Sequence, residues 1–212
     1  MSMARRRGLR FGLGALLILG LIGVVRPWTI RPIETAPGPL FDAASYVESS
    51  WARLLAEADG TARDVAAVFR ASAPDPGGAD APPARQSLFV RGTGVVTRVD
   101  LESRAGQALV RIDGTSPTVT VAIQVGPVLR GTALRDAASF IHFTDFANQF
   151  DFAAVSNALH ERVLVSVLGR VDRQALSGQP LSFVGAATVR RQGADTTVEI
   201  VPVTLSVGRG DR

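Results

Sequence analysis

The sequence predicts a mostly β protein, an OB-like small β-barrel with an N-terminal helical hairpin and one transmembrane helix. Three observations support this prediction. Strand-like alternation dominates the chain from Ser87 onward, a helical segment separates three predicted strands from later ones, and a charge-free apolar run lies near the N-terminus. Three strands, a helix and then further strands is the order of an OB-fold barrel. An immunoglobulin-like sandwich is the alternative, which the helix before the fourth strand disfavours.

The N-terminal residues follow the order of a signal sequence. Residues 1–10 form a basic tail, residues 11–25 carry no charge, and Arg26 and Trp28 mark a polar boundary. Fifteen helical residues rise only about 22 Å, which is short of a hydrocarbon core of roughly 30 Å. We therefore extend the predicted transmembrane anchor over residues 11–30, with the arginine and the tryptophan at the interface.

The apolar run lacks a good cleavage site. The nearest alanine, Ala36, precedes Pro37, so a retained anchor is favoured over a cleaved signal peptide. The basic tail, residues 1–10, is expected in the cytoplasm, which puts the C-terminal domain in the periplasm. The sequence thus predicts a single-pass inner-membrane protein that contacts the membrane through residues 11–30.

The rest of the chain divides by composition. Residues 31–40 are rich in proline and predict an extended spacer, and residues 73–86 predict a linker. Residues 41–72 predict a helical hairpin that breaks at Asp59-Gly60, where Thr61 and Asp64 resemble a capping box for its second helix. Its apolar face covers the β domain or docks on another protein; it contains Val47, Trp51, Leu54, Leu55, Ala58, Val65, Val68 and Phe69.

Residues 87–212 predict the OB-like β domain. A turn at Asp113-Gly114 joins two of its strands, and Pro202 suits a strand edge or a bulge. Gly94 and Gly169 suit the coiling of strands in a small barrel. One helix is predicted at Phe152–Arg162, and the predicted strands are Leu88–Val99, Gln107–Ile112, Thr118–Val125, Val163–Val171, Leu181–Arg190 and Thr196–Val207.

Charge and cysteine content exclude several functions. Four arginines in the basic tail account for the whole net charge of +4, so +4 minus 4 leaves zero for residues 11–212. A near-neutral exported domain lacks the electrostatic footprint of a nucleic-acid-binding protein, and no nucleic-acid partner is expected. The chain has no cysteine, which excludes disulfides, thiolate metal sites, a cysteine nucleophile and a lipidated cysteine.

The segment 126–162 is the candidate binding surface. It places phenylalanines among charged and amide side chains, a mixture found at sugar- and peptide-binding surfaces. In the alternative interpretation the phenylalanines plug the bottom of the barrel, and Asp145, Asn148 and Asp151 cap turns and a helix start. The candidate binding residues are Arg130, Arg135, Asp136, His142, Asp145, Asn148 and Gln149.

Catalysis is not expected. The sequence contains no GxSxG, HExxH, Walker A or GxGxxG motif, and no cofactor is predicted. The spacing of Asp136, Asp145 and Asp151 does not match the EF-hand loop, so no metal site is predicted. A hydrolase that uses His142 is the enzymatic alternative.

Four segments resemble a known family: YVESSW, GTGVV, GPVLRGTALRDAASFIHF and FANQFDFAAVSNAL. Together they look like domain of unknown function 2291, a family of predicted periplasmic lipoproteins, with GPVLRGTALRDA and FANQF the most specific parts. Members are often encoded beside sugar ABC transporters, which implies an accessory role and a sugar-binding protein or a transporter permease as partner. This chain has no cysteine to acylate, so its anchor is expected to be the helix itself. A structural envelope protein that binds no small molecule is the alternative function.

Overall fold

A computed structural model describes residues 41–70, 87–115, 118–192 and 195–208. All of them belong to one unit, Phe41–Arg212. The predicted basic tail, anchor and spacer (1–40) and the predicted linker (73–86) lie outside the described residues. Within the described ranges, no helix combines the length and the apolar character needed to cross a membrane.

Four helices and six strands make up the described part of the domain. The helices are α1 (Ala43–Thr61), α2 (Val65–Arg70), α3 (Ala133–Ala137) and α4 (Gln149–Ser166), with 3₁₀ turns at Phe143–Asp145 and Leu168–Arg170. The strands are β1 (Arg63–Asp64), β2 (Leu88–Asp100), β3 (Gln107–Arg111), β4 (Val119–Gln124), β5 (Pro180–Gln192) and β6 (Asp195–Val207).

Five of the strands close into a barrel. Their order is β2-β3-β4-β6-β5, and β5 pairs back onto β2 to complete the ring. The β4–β6 pair is parallel and the other four barrel pairs are antiparallel. Since α4 lies between the third and fourth barrel strands, this is the OB arrangement that the element order predicts, and the sandwich alternative is wrong.

Gly94 and Pro202 mark a close approach and an irregularity of the barrel strands. A Cβ on Gly94 would lie 2.4 Å from the carbonyl oxygen of Arg111, so only glycine allows β3 to approach β2 this closely. The β5–β6 register shifts between Val184 and Gly185, opposite Pro202. The prediction of a bulge at this proline is confirmed, because the ladder skips one residue there.

Helix α1 packs on the β domain. The side chain of Asp42 caps it by accepting hydrogen bonds from the backbone amides of Ala44 (3.0 Å) and Ser45 (3.2 Å). Val47, Trp51, Leu54 and Ala58 form its buried face and join one core with the barrel residues, whereas Leu55 is half-buried. The interpretation that the apolar face covers the β domain is therefore confirmed.

The break inside the hairpin is present but comes slightly later than predicted, at Ala62–Asp64 between α1 and α2. Helix α1 continues through Asp59 and Gly60 to Thr61, because the packed face outweighs the roughly 1 kcal/mol that an exposed helical glycine costs. The cap of α2 is also different from the prediction. Asp64 accepts a hydrogen bond from the amide of Ala67 at 2.8 Å, whereas the hydroxyl of Thr61 donates back to Glu57 in α1.

The predicted strand Val163–Val171 is wrong. Helix α4 starts three residues before the predicted Phe152 and runs to Ser166, and Gly169 lies in a 3₁₀ turn and not in a strand. The β-branched run misled the prediction, because Val163 continues the helical stripe of Val155 and Leu159 at intervals of four residues. These three side chains have no exposed surface, so packing decides the conformation.

Candidate functional site

Two helices position the candidate segment. Phe41, which precedes α1, and Tyr46, in its first turn, contact Phe146, which lies between the 3₁₀ turn Phe143–Asp145 and α4. Between them lies a continuous group of rings, which we call the aromatic cluster. Its members are Phe41, Tyr46, Phe143, Phe146 and Phe152, with successive ring centroids 5.3–5.9 Å apart.

The interpretation that the phenylalanines are packed residues of the barrel core holds for part of the set, because Phe140, Phe146 and Phe152 pack against the hydrophobic core. Phe146 and Phe152 are half-buried between α1 and α4, and Phe143 is 54% exposed. Phe150, on the first turn of α4, is 75% exposed. Edge-to-face and tilted ring contacts stabilise the cluster, yet two large apolar side chains remain in water.

Arg135 and Asp136 are fully engaged within the domain. The Arg135 guanidinium lies 3.7 Å from the centroid of the Phe152 ring and forms an ion pair with Asp136 at 2.7 Å. The hydroxyl of Thr132 donates to the second carboxylate oxygen of Asp136. Only 12% of the Arg135 side chain is exposed, so this arginine is a positioning residue for the cluster.

The four candidates that follow occupy or flank caps. The Asp145 carboxylate accepts a hydrogen bond from the backbone amide of His142 at 3.2 Å. The Asn148 side chain accepts from the amides of Phe150 (2.8 Å) and Asp151 (3.0 Å) and donates to the Asp151 carboxylate at 2.9 Å. The interpretation that these polar residues cap local structure is thus confirmed for Asp145 and Asn148, whereas exposed Gln149 is simply the first residue of α4.

Arg130 is separate from this group. Gln124, buried at the end of β4, holds the backbone of Arg130 through its carboxamide, accepting from the amide at 2.7 Å and donating to the carbonyl at 3.1 Å. The Arg130 side chain itself is exposed. The structure therefore brings together Arg135, Asp136, His142, Asp145, Asn148 and Gln149, and leaves the Arg130 side chain outside the group.

Sequence reasoning missed two members of the site. Phe41 and Tyr46 come from the segment predicted as a helical hairpin, and they contact Phe146 only because α1 packs beside α4. The sequence did hold a hint of their role, because these two aromatic residues lie outside the apolar face of α1 and therefore need another partner. Burial raises the pKa of Tyr46, and the nearby charge of Asp145 adds to this, partly offset by Arg53.

Grooves on the barrel lie elsewhere. One of about 550 Å³ is lined by residues of β2, β5 and β6, including Thr93, Ser182 and Ser206. Another of about 560 Å³ follows the end of β6. Neither is lined by any of the seven candidate residues. Within the described ranges, no group of three or more His, Asp or Glu side chains is placed to hold a metal ion.

Comparison with solved structures first defines the class of protein. The domain is similar to the crystal structure of an OB-fold protein from Thermotoga maritima, with a TM-score of 0.57 and 18% identity over 79% of this chain and 99% of that chain. It also matches an OBody bound to hen egg-white lysozyme, with a TM-score of 0.28 and 11% identity over 59% of this chain and 98% of that chain. The first likeness agrees with the strand order in showing an OB-fold.

The family follows from the sequence. Residues 15–206 match the model of the predicted periplasmic lipoproteins called domain of unknown function 2291, and the chain belongs to this family. The predicted resemblance is thus confirmed, and it supports a periplasmic, membrane-associated location. No curated protein matches the sequence.

Proposed function

We propose that the protein is an inner-membrane-anchored periplasmic accessory module that binds a partner protein through Phe143 and Phe150. The anchor is the predicted single-pass helix over residues 11–30. The partner we propose is a component of a sugar ABC transporter, either the sugar-binding protein or the permease. The observation that carries the proposal is the exposure of these two rings, 54% and 75%, on a packed scaffold.

The setting of the two rings favours protein recognition. Aromatic side chains dominate the energetics of protein interfaces, and rings held by a rigid support lose little entropy on binding. The centroid of the Phe143 ring lies 5.4 Å from that of Phe152. The guanidinium of Arg135 in turn lies 3.7 Å from the centroid of the Phe152 ring and holds that ring in place. Asn148 and Gln149 beside the rings supply the polar rim that interfaces commonly have.

The structure also determines which variant tests the proposal. Replacing Arg135 or Asn148 would disturb the cluster and the cap of α4, so loss of binding in such variants would be ambiguous. Phe143→Ala with Phe150→Ala removes mostly exposed surface, and within the cluster it removes the ring contact between Phe143 and Phe152. Val165→Ala is the matched control, because Val165 lies on the same helix and is 74% exposed.

The experiment is crosslinking of the full-length protein in intact cells, followed by pull-down and mass spectrometry. We expect recovery of a sugar-binding protein or a transporter permease, reduced at least about tenfold in the double variant and unchanged in Val165→Ala. Equal recovery of that partner with the double variant refutes the role of the two rings. Recovery of envelope assembly proteins alone refutes the transporter association.

A structural envelope protein without a small-molecule ligand is the second candidate. It is favoured by the observation that Arg135, Asp136 and Asn148 are engaged in contacts within the domain. A ligand that binds only the folded state raises the midpoint of thermal unfolding. A panel of sugars that leaves the midpoint unchanged, together with a pull-down free of transporter subunits, supports this second function.

A further inference from the structure

The C-terminal half of β6 has one open edge. Strand β4 pairs with β6 only as far as Ile123 and Ile200. Beyond that point β6 continues to Val207 with β5 on one side. In the part of the chain that the structure describes, no strand lies on the other side.

Two residues of this edge direct their backbone groups away from β5. The amide of Gly208 donates to the carbonyl of Pro180 at 2.8 Å, and antiparallel ladders alternate between bonded and non-bonded pairs. The pairs Ser206–Ser182 and Thr204–Val184 are therefore bonded to β5. The backbone N–H and C=O groups of Leu205 and Val207 therefore point to the open side. Among the described residues, these groups have no backbone hydrogen-bond partner.

A preformed groove runs along this edge. Its volume is about 560 Å³, with Val203–Gly208 on one side and residues from Ser166 to Gln179 on the other. The outer wall is held in place, because Leu168 and Leu176 are each 1% exposed. The amide of Gly178 also donates to the carbonyl of Val96 at 2.8 Å, which ties the end of the wall to β2. The groove therefore lies between the unpaired edge of β6 and a fixed wall.

The residues that line the groove determine which side chains a bound segment needs. Val167, Val171, Ala175 and Leu205 line the groove and suit apolar side chains. Arg170 is exposed and has no ion pair with another described residue. One carboxylate oxygen of the neighbouring Asp172 accepts from the amides of Gln174 (3.1 Å) and Ala175 (3.4 Å), and Asp172 forms no ion pair with Arg170. One cation therefore remains for an acidic side chain.

We propose that this groove binds an extended segment of a partner protein by β-strand addition to the edge of β6. The segment carries alternating apolar side chains and one Asp or Glu that pairs with Arg170. Main-chain hydrogen bonds to Leu205 and Val207 supply the affinity, and the groove selects the side chains. Pro202 has no amide hydrogen, so the added strand pairs only beyond it. This surface is distinct from Phe143 and Phe150 and goes beyond the function proposed above.

The test uses the full-length protein in detergent and a panel of soluble, acetylated heptapeptides. Each peptide alternates valine and threonine and has one glutamate, whose position is varied. Hydrogen exchange is measured amide by amide with and without peptide. We expect new protection at Leu205 and Val207, and no change at Thr204 and Ser206, because their amides already bond to β5.

Two substitutions and one modified peptide separate the contributions. Leu205→Pro removes a donor on the open side without breaking a bond to β5, and is expected to weaken binding about tenfold. Arg170→Gln is expected to weaken glutamate peptides about threefold and to leave glutamine versions unchanged. Alternate peptide nitrogens point toward β6 and away from it. Methylating the set that points toward β6 should abolish binding, and methylating the other set should leave binding intact. A contact made by side chains alone would not distinguish the two sets.

Three results overturn the proposal. The first is protection of the Leu205 and Val207 amides in the free protein, which would mean that another part of the chain already pairs with the edge. The second is a dimer that Leu205→Pro dissociates, which would make a second copy the occupant. The third is no protection with any peptide of the panel, because every peptide offers the main-chain hydrogen bonds that supply the affinity and the panel varies the position of the glutamate. None of these outcomes depends on Phe143 or Phe150, so this test and the pull-down fail independently.

Discussion

Replacing Gly126 by alanine should loosen the barrel. Gly126 follows β4 at the start of the GPVLRGTALRDA segment, and its backbone crosses the β2–β3 loop at close range. A Cβ there would lie 2.1 Å from the amide nitrogen of Gly106 and 2.6 Å from the carbonyl oxygen of Arg104. Both atoms belong to the backbone, so no side-chain rotation relieves the clash, and the two segments must separate by roughly 1 Å.

The cost follows from the hydrogen bonds at this crossing. The amides of Val125 and Gly126 both donate to the Gly106 carbonyl at 2.9 Å, and the amide of Val128 donates to the Arg104 carbonyl at 3.0 Å. Losing three bonds at about 1 kcal/mol each costs about 3 kcal/mol. The lower entropy of the unfolded alanine chain offsets about 0.4–1 kcal/mol, which leaves a net loss of about 2–3 kcal/mol.

Thermal unfolding followed by circular dichroism measures this loss. For a domain of this size the midpoint should fall by roughly 4–12 °C. Gly60→Ala is the control, because a Cβ at Gly60 meets no atom within 4 Å and alanine favours the helix. Its midpoint should stay constant or rise. A Gly126→Ala midpoint within about 2 °C of the wild type would refute the reasoning.

Two further predictions concern helix α4. Asn148→Ala removes the side chain that caps the Phe150 amide and should lower the free energy of unfolding by about 1 kcal/mol. Asn157→Ala is the control, because Asn157 is exposed within the helix and its loss should change the unfolding midpoint little. Equal shifts of the midpoint in the two variants would contradict a capping role. Burial lowers the pKa of His160 in the folded state below its ordinary value of 6.5, so the unfolded state binds the proton more readily. Stability from this group is complete above about pH 6.5 and is lost as the pH falls. His160→Leu should flatten the change in unfolding midpoint between about pH 7.5 and about pH 5.5, and a variant that keeps the wild-type slope would show that other groups cause it.

The element order and the turn residues were enough to predict the OB barrel. Alternating apolar residues defined five of the six predicted strands, and Pro202 correctly indicated a bulge, because these signals act over a few neighbouring residues. The wrong strand at Val163–Val171 also results from relying on neighbouring residues alone. A short β-branched run fits a strand or a buried helix equally well, and the choice depends on whether Val163 packs in line with Leu159.

The candidate site divides in the same way. The sequence indicated the segment 126–162 and its caps, because an Asn or Asp before a helix acts on amides two or three residues away. It could not show that Arg135 is engaged on Phe152, that Phe143 and Phe150 remain exposed, or that Phe41 and Tyr46 complete the cluster.

What the sequence determined by itself was therefore local: strand and helix periods, turn positions, helix caps and the family resemblance. The tertiary structure decided which surfaces stay open, since exposure depends on packing between elements far apart in the chain. The aromatic cluster requires α1 to lie against α4, although about a hundred residues separate Tyr46 from Phe146. The open edge of β6 exists because its parallel partner β4 stops at Gln124 while β6 continues to Val207. Strand lengths and pairing in the closed barrel, and not local propensity, create that edge.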